Sequence, residues 1–251
     1  MNVREYNMQT EIIQGKSMQL AGKNILVTGG ARRVGAVIVR RLAQAGAHVV
    51  IHCNTSRAEA EVLLGALPGT GHRVVAADLS VPGEAERLFG AASPLDAVVS
   101  SASVYRHSGL YDEETKKMLF EVNYRSPLAL MELLAKNPPA AGGAVVNVLD
   151  QAVLSDRFPN NAYLESRRLL MASTLEFAKK YGPLDLRFNA VAPGPMLPPA
   201  ELPQSKMEKT ISALPLRRRV EPDDLARAVL FLLTCDSVTG AVLPVDCGQH
   251  L

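Results

Sequence analysis

From residue 24 onward, short apolar runs rich in β-branched residues alternate with longer stretches whose apolar positions recur every three or four residues. A bounded run of four to eight apolar residues fits a buried strand, and the 3.6-residue repeat fits a helix with one buried face. Seven strands are predicted: NILVTG (24–29), HVVIHC (48–53), RVVAAD (73–78), DAVVSS (96–101), AVVNVL (144–149), LRFNAV (186–191) and AVLPVD (241–246). Helices are predicted between them at about 34–46, 56–66, 81–91, 112–136, 161–181 and 221–234. The strand runs are apolar on both faces, as strands covered by helices on each side require. This alternation predicts an α/β chain with a doubly wound, parallel, seven-stranded sheet and ligands bound beyond the carboxyl ends of its strands.

Two stretches depart from the pattern. Residues 1–20 are polar and aperiodic, which predicts a flexible N-terminal extension, with Met18 as a possible functional start and 21–251 as a single domain. Residues 194–220 carry five prolines and one short helical pattern at 205–213. That interruption is either a mobile surface excursion or a lid, and its departure from the carboxyl end of a predicted strand favours the lid.

Composition narrows the function classes. An apolar share of 47% supports an ordinary packed core, and a net charge of +2 gives no reason to expect nucleic acid. The one dense basic run, Arg217-Arg218-Arg219, is too short for a nucleic-acid patch. Cys53, Cys235 and Cys247 are odd in number and widely spaced, so neither a disulfide framework nor a metal site is expected. A reducing cytoplasm fits such cysteine usage, and no stretch is long and apolar enough to span a bilayer.

Between the first strand and first long helix lies VTGGARRVG (27–35). Glycines at 29, 30 and 35 allow a sharp turn that brings backbone N–H groups and a helix N-terminus against a pyrophosphate. Arg33 occupies the place of the middle glycine of the usual G-x-G-x-x-G spacing. At the end of the second strand, HCNTSR (52–57) has no carboxylate to hold a ribose diol or repel a 2′-phosphate. Arg32, Arg33, Ser56 and Arg57 offer donors to phosphate instead, so NADP(H) is the expected cofactor. Arg57 also reads as a solvated residue of a first helical turn, and Asp78 as either an acceptor for the adenine amino group or a helix cap.

The candidate chemistry sits in NAYLESRRLL (161–170). Spacing of i, i+4 puts Tyr163 and Arg167 on one helix face, and a cation there makes a tyrosine hydroxyl a usable acid/base by stabilising its phenolate. Asp150, at the end of the fifth predicted strand, precedes Tyr163 by 13 residues (163 − 150). It could cap the following turn, orient Arg167 or act with the tyrosine.

These residues resemble the short-chain dehydrogenases/reductases over about residues 20–251, and within them the pteridine reductases and their dihydrofolate or dihydromonapterin reductase relatives. The closer resemblance rests on Arg33 in the phosphate turn, the Asp150/Tyr163 pair, Ser100-Ser101-Ala102-Ser103 followed by Tyr105, and the closing VTGAVLPVDCG (238–248). It implies a single-domain Rossmann-type fold, an NADPH-dependent reductase of a flat heterocycle with Tyr163 as proton donor, and a small-molecule substrate, with no nucleic-acid or membrane partner. It also implies a homotetramer. Implied cofactor contacts are Gly29, Arg32, Arg33, Val34, Asn54, Thr55, Ser56, Asp78, Leu79, Ser101, Ala102, Tyr163, Arg167, Pro193 and Gly194. Implied substrate contacts are Arg33, Ser103, Tyr105, Asp150, Tyr163 and Met196, with Asp150, Tyr163, Arg167 and Asn123 as the catalytic set and Asn123 in a proton relay. Tyr105 is read equally as a stacking platform and as an ordinary loop aromatic.

The chain departs from the family pattern at Arg167, where a lysine is usual. An arginine can bind the ribose and stabilise a phenolate, but a guanidinium does not give up a proton. Two other readings therefore stand beside the pteridine reductase: a carbonyl reductase of the same fold, and a cofactor-binding protein with little turnover.

Overall fold

The computed structural model describes residues 18–105, 111–158, 161–196 and 204–251. Its sheet has seven parallel strands in the order β3-β2-β1-β4-β5-β6-β7: β1 Asn24–Thr28, β2 His48–Cys53, β3 Arg73–Ala76, β4 Ala97–Ser100, β5 Gly143–Val148, β6 Leu186–Pro193 and β7 Val242–Val245. Helices α1 (Arg33–Gln44), α2 (Arg57–Gly65), α3 (Glu84–Ala92), α4 (Glu113–Phe120), α5 (Ser126–Lys136), α6 (Ala162–Tyr181), α7 (Gln204–Ser212) and α8 (Pro222–Thr234) connect the strands. The expected doubly wound α/β fold is the one observed.

Alternate strand residues feed two cores. Ile25, Val27, Val49 and Ile51 pack with α1, α2 and α8 on one face, whereas Leu26, Val50, Val98 and Val145 pack with α3, α5 and α6 on the other. This two-sided burial explains why the strands read as continuous apolar runs. The sheet winds in opposite directions from β1 and β4, so the crevice beyond their carboxyl ends is the topological switch point where a ligand fits. Thr28 Oγ1 accepts hydrogen bonds from the Ser101 and Ala102 N–H groups, both at 3.0 Å, and ties the two strand ends together there.

The predicted helix over 112–136 is interrupted. Asp112 caps α4 by accepting from Thr115 N–H at 2.7 Å, but Glu121–Arg125 form a π-helical turn before α5 begins. Ser126 N–H accordingly donates to the Glu121 carbonyl, five residues back. Pro127 supplies the physical reason: it has no N–H to return to the Asn123 carbonyl four residues earlier. At the other end of the chain order, Leu20 is 5% exposed and belongs to the core, so packing extends before the expected boundary at residue 21. The rest of the expected extension, 1–17, lies outside the described residues.

Candidate active site

A cleft of about 1230 Å³ opens at the switch point, and loops following β1 through β6 line it. One half of it is built on the turn after β1. Gly29 has φ +64 and lies so close to Ala102 that an added Cβ would sit 2.9 Å from the Ala102 Cα. A Cβ on Gly35 would fall 2.1 Å from the Gly29 carbonyl oxygen, so α1 can start against the turn only with glycine there. Arg32 occupies the N-cap of α1 without a side-chain cap, and the first turn has no acidic residue. The positive end of the helix therefore faces the cleft, as a pyrophosphate requires. Arg33 adopts φ 51, the left-handed conformation that glycine normally supplies, and still lines the cleft together with Val34.

Asn54, Thr55 and Ser56 follow β2 along the same wall, and no carboxylate ends that strand. Ser56 is buried, whereas Arg32 is exposed and pairs with Glu59 at 3.5 Å. Arg57 turns to Glu61 at 3.5 Å and is not part of the lining, so the solvated reading describes it better than phosphate contact. Asp78 and Leu79 also line the cleft. The Asp78 carboxylate accepts from both the N–H (3.0 Å) and hydroxyl (2.7 Å) of Ser80, and these bonds hold its carboxyl below the usual range. It thus stabilises the turn before α3 in the manner of a local cap.

The reacting half gathers at the ends of β4, β5 and β6. Asn161 caps α6, its side chain accepting from Leu164 N–H at 2.9 Å, and this sets Tyr163 in the first turn. The Tyr163 hydroxyl donates to Asp150 Oδ2 at 3.0 Å. Asp150 Oδ1 accepts from Ala152 N–H at 2.9 Å, capping the short 3₁₀ turn Gln151–Leu154. One carboxylate therefore both caps the turn and meets the tyrosine. Arg167 is 2% exposed, its Nη1 donating to the Val148 carbonyl at 3.3 Å and its guanidinium carbon 5.5 Å from the centre of the Tyr163 ring. Its Nε is buried without a hydrogen-bond partner. Arg168 instead meets Asp156 at 3.8 Å and the Ser155 carbonyl at 3.2 Å, outside the tyrosine pair.

These contacts pull the Tyr163 hydroxyl in opposite directions. Burial raises its pKa most, the Asp150 carboxylate raises it further, and Arg167 lowers it. The balance lies well above the ordinary tyrosine value, so the expected depression by Arg167 is outweighed. The hydroxyl is held protonated.

Ser101, Ala102, Ser103 and Tyr105 line the cleft after β4, with Tyr105 half exposed and edge-on to Tyr163 at a centroid separation of 5.0 Å and an angle of 82°. Pro193, Gly194 and Met196 line it after β6, and Gly194 is wedged against Asp246, where a Cβ would meet the Asp246 Cα at 2.8 Å. Asn123 does not reach the cleft lining. Its amide meets Val104 twice, accepting from the N–H and donating to the carbonyl, both at 2.9 Å. It fixes the backbone that leads to Tyr105.

Among the lining residues that the sequence reading did not single out, two are buried polar groups. Gln151 is buried beside Asp150, with Oε1 unpartnered. His52 is buried beneath the glycine turn. Neither stands in a recognisable motif; a histidine within an apolar strand run and a glutamine after an aspartate were the only signals. Cys247 and Ser100 lie outside the lining, and no group of metal-ligating side chains occurs among the described residues.

A parallel sheet, a glycine turn at its switch point and a tyrosine paired with a cation one helical turn later define the class: a dinucleotide-binding oxidoreductase. Residues 29–250 match the family model described as Enoyl-(Acyl carrier protein) reductase, and the chain belongs to that family, within the short-chain dehydrogenases/reductases. It is similar to L-xylulose reductase from Bos taurus, with 31% identity over 241 residues, covering 92% of this chain and 98% of the relative. It is also similar to the crystal structure of FolM Alternative dihydrofolate reductase 1 from Brucella canis complexed with NADP. The identity is 35%, the TM-score 0.86, and the coverage 92% of this chain and 95% of that one. The Brucella suis protein of the same name, also in complex with NADP, matches at 35% identity and a TM-score of 0.86, over 92% of this chain and 96% of that one. Among the described residues no helix is long and apolar enough to cross a membrane.

Proposed function

We propose that the protein is an NADPH-dependent reductase acting on a pteridine or a similar flat heterocycle. The observation that carries this reading is the Asp150–Tyr163 hydrogen bond of 3.0 Å, with the Tyr105 ring set against the same tyrosine. A flat substrate fits a wall built from aromatic edges and faces. The FolM structures at 35% identity support the substrate class, and their bound NADP supports the cofactor.

The chain's own residues fit the dinucleotide. The uncapped N-terminus of α1 suits the pyrophosphate, and Arg32, Asn54, Thr55 and Ser56 supply donors suited to a 2′-phosphate. When bound, the nicotinamide supplies the hydride. Tyr163 supplies the proton: its hydroxyl hydrogen passes to the substrate nitrogen, and the resulting phenolate is stabilised by Arg167. Asp150 then offers the return path, because it touches the tyrosine hydroxyl and is only partly buried, so a proton taken from solvent can pass through the carboxyl to the phenolate. This route does not require Arg167 to give up a proton.

Residues 194–220 act as the substrate lid. Its frame is fixed by the Val220 N–H donating to the Pro195 carbonyl at 3.0 Å and by the buried Leu214, while Met207 and Thr210 of α7 line the cleft. The expected lid residues 197–203 lie outside the described residues. A ketone reductase is the second reading, favoured by the L-xylulose reductase relative.

Purified protein should oxidise NADPH with dihydrobiopterin, dihydrofolate or dihydromonapterin faster than with a panel of ketones. Tyr163→Phe should lower that rate by about 10²-fold or more while leaving NADPH affinity within a factor of a few. Turnover of ketones alone favours the second reading, and equal rates for wild type and Tyr163→Phe across the panel refute both.

A further inference from the structure

His52, the penultimate residue of β2, is 2% exposed and makes three bonds that join neighbouring strands at the switch point. Its ring Nδ1 accepts from Gly29 N–H at 3.0 Å, and its Nε2 lies 3.1 Å from the Ala77 carbonyl. Its own carbonyl accepts from Gly30 N–H at 2.9 Å. The next residue continues the seam, the Cys53 carbonyl accepting from Ala77 N–H at 3.0 Å. A ring nitrogen that accepts from an amide carries no hydrogen, whereas a nitrogen facing a carbonyl must carry one. Only the neutral imidazole with hydrogen on Nε2 satisfies both contacts. A protonated ring would set an N–H against the Gly29 N–H.

We propose that His52 is a positioning residue for the cofactor, holding the phosphate turn from behind through Gly29 so that the turn's remaining N–H groups face the pyrophosphate, and that this hold requires a neutral ring. The proposal rests on the dinucleotide reading of the cleft. Gly29 has little alternative: at φ +64 and pressed against Ala102, it cannot shift forward without closing the site. The remedy for a charged ring is therefore retreat of the turn or rotation of the ring, and either disorders the anion cradle.

The charged groups around the ring come from the turn after β3 and from α3. Asp78 favours the imidazolium and Arg87 opposes it, the latter held by Glu84 in a 2.7 Å ion pair. Burial is the largest influence and, with Arg87, outweighs the Ala77 hydrogen bond and Asp78, holding the pKa below its ordinary value of 6.5. The sign follows from a depressed histidine: the ring is neutral at and above pH 6.5 and becomes charged only as the pH falls through its lowered folded-state value. Cofactor affinity should therefore weaken on acidification.

The test measures NADP⁺ dissociation constants by titration calorimetry between pH 5 and 8 for wild type, His52→Asn and His52→Leu. Asparagine can place an acceptor near the Nδ1 position and does not titrate. The cofactor's own 2′-phosphate titrates identically for all three, so the difference between proteins isolates His52. Wild type should lose about tenfold more affinity than His52→Asn between pH 7.5 and 5, and His52→Leu should bind about tenfold more weakly than wild type at pH 7.5. Parallel pH curves for wild type and His52→Asn, or full affinity in His52→Leu, overturn the proposal. ¹⁵N-histidine NMR of the wild type tests it without any variant: His52 Nδ1 should be unprotonated at neutral pH, and a protonated Nδ1 there overturns it. Absence of NADP⁺ binding by wild type at pH 7.5 would instead refute the dinucleotide reading beneath it.

Discussion

Replacing Arg167 with methionine should make the cofactor-free protein more stable while weakening its hold on NADPH. Arg167 is 2% exposed, yet its contacts are the Val148 carbonyl at 3.3 Å, the Tyr163 hydroxyl and the Tyr163 ring, and its Nε is unpartnered. Burying a cation costs several kcal/mol, of which a ring contact recovers roughly 1 kcal/mol and the two hydrogen bonds about 2 kcal/mol more. Methionine of similar length removes the cost and both gains, for a net stabilisation of about 1–2 kcal/mol. In a chain of this size that corresponds to a rise in Tm of roughly 2–8 °C. With NADPH at a hundred times its Kd, wild type gains about 2.7 kcal/mol, and a tenfold loss of affinity would cut the variant's gain to about 1.4 kcal/mol at the same concentration. Thermal melts with and without cofactor, read by circular dichroism, measure both quantities. A cofactor-free Tm several degrees below wild type, with the NADPH-induced shift intact, would refute the reasoning and make Arg167 a strut of the fold.

The other expectations concern protons and phosphate. Asp150→Asn removes a carboxylate that raises the Tyr163 pKa, so the alkaline limb of the turnover profile should move to lower pH, by on the order of one unit; an unmoved limb would detach Asp150 from the tyrosine. Arg167→Lys should retain NADPH binding within about tenfold and raise turnover or shift its pH optimum, because an ammonium can pass protons and a guanidinium cannot. Complete loss of binding in that variant would assign arginine a role its contacts do not explain. Arg32→Ala should weaken NADPH by about tenfold in fluorescence titration and leave NADH unchanged, since only the former carries a 2′-phosphate for the Arg32 side chain to meet.

Strands and helices were legible because two-sided burial writes itself into the sequence as continuous β-branched runs. β2 at His48–Cys53 coincides with its predicted run, and β6 continues two residues beyond its own, to Pro193. The π-helical turn at Glu121–Arg125 was not legible from periodicity, which spans it without a break; its local cause, the missing N–H of Pro127, matters only once a helix has to continue through it. Within the cleft, residues fixed by local chain geometry were readable: the glycines of the phosphate turn, the i, i+4 pair Tyr163 and Arg167, and Asp150 at a strand end. Roles that depend on long-range contacts were not. Asn123 reads as a helix residue until Val104 is seen against it, and His52 reads as one more strand position until Gly29 and Ala77 close on its ring.

The exchange of lysine for arginine has a consequence for the whole site. A cation that cannot release a proton leaves Asp150, hydrogen-bonded to the Tyr163 hydroxyl, as the group to return the proton. That neighbour raises the tyrosine pKa as a carboxylate, which keeps the proton in place before reaction but opposes the phenolate formed afterward. Both demands are met if the carboxyl takes up a proton from solvent as the tyrosine passes its own to the substrate, so that the pair never carries two negative charges at once. Arg167 then has to neutralise a single charge shared between two oxygens, a task suited to a delocalised and permanently charged group. On this argument the arginine and the aspartate are a matched set: Asp150→Asn should impair turnover more when residue 167 is arginine than when it is lysine. A double-mutant cycle in turnover over Asp150→Asn and Arg167→Lys measures that coupling, and strictly additive effects would separate the two residues.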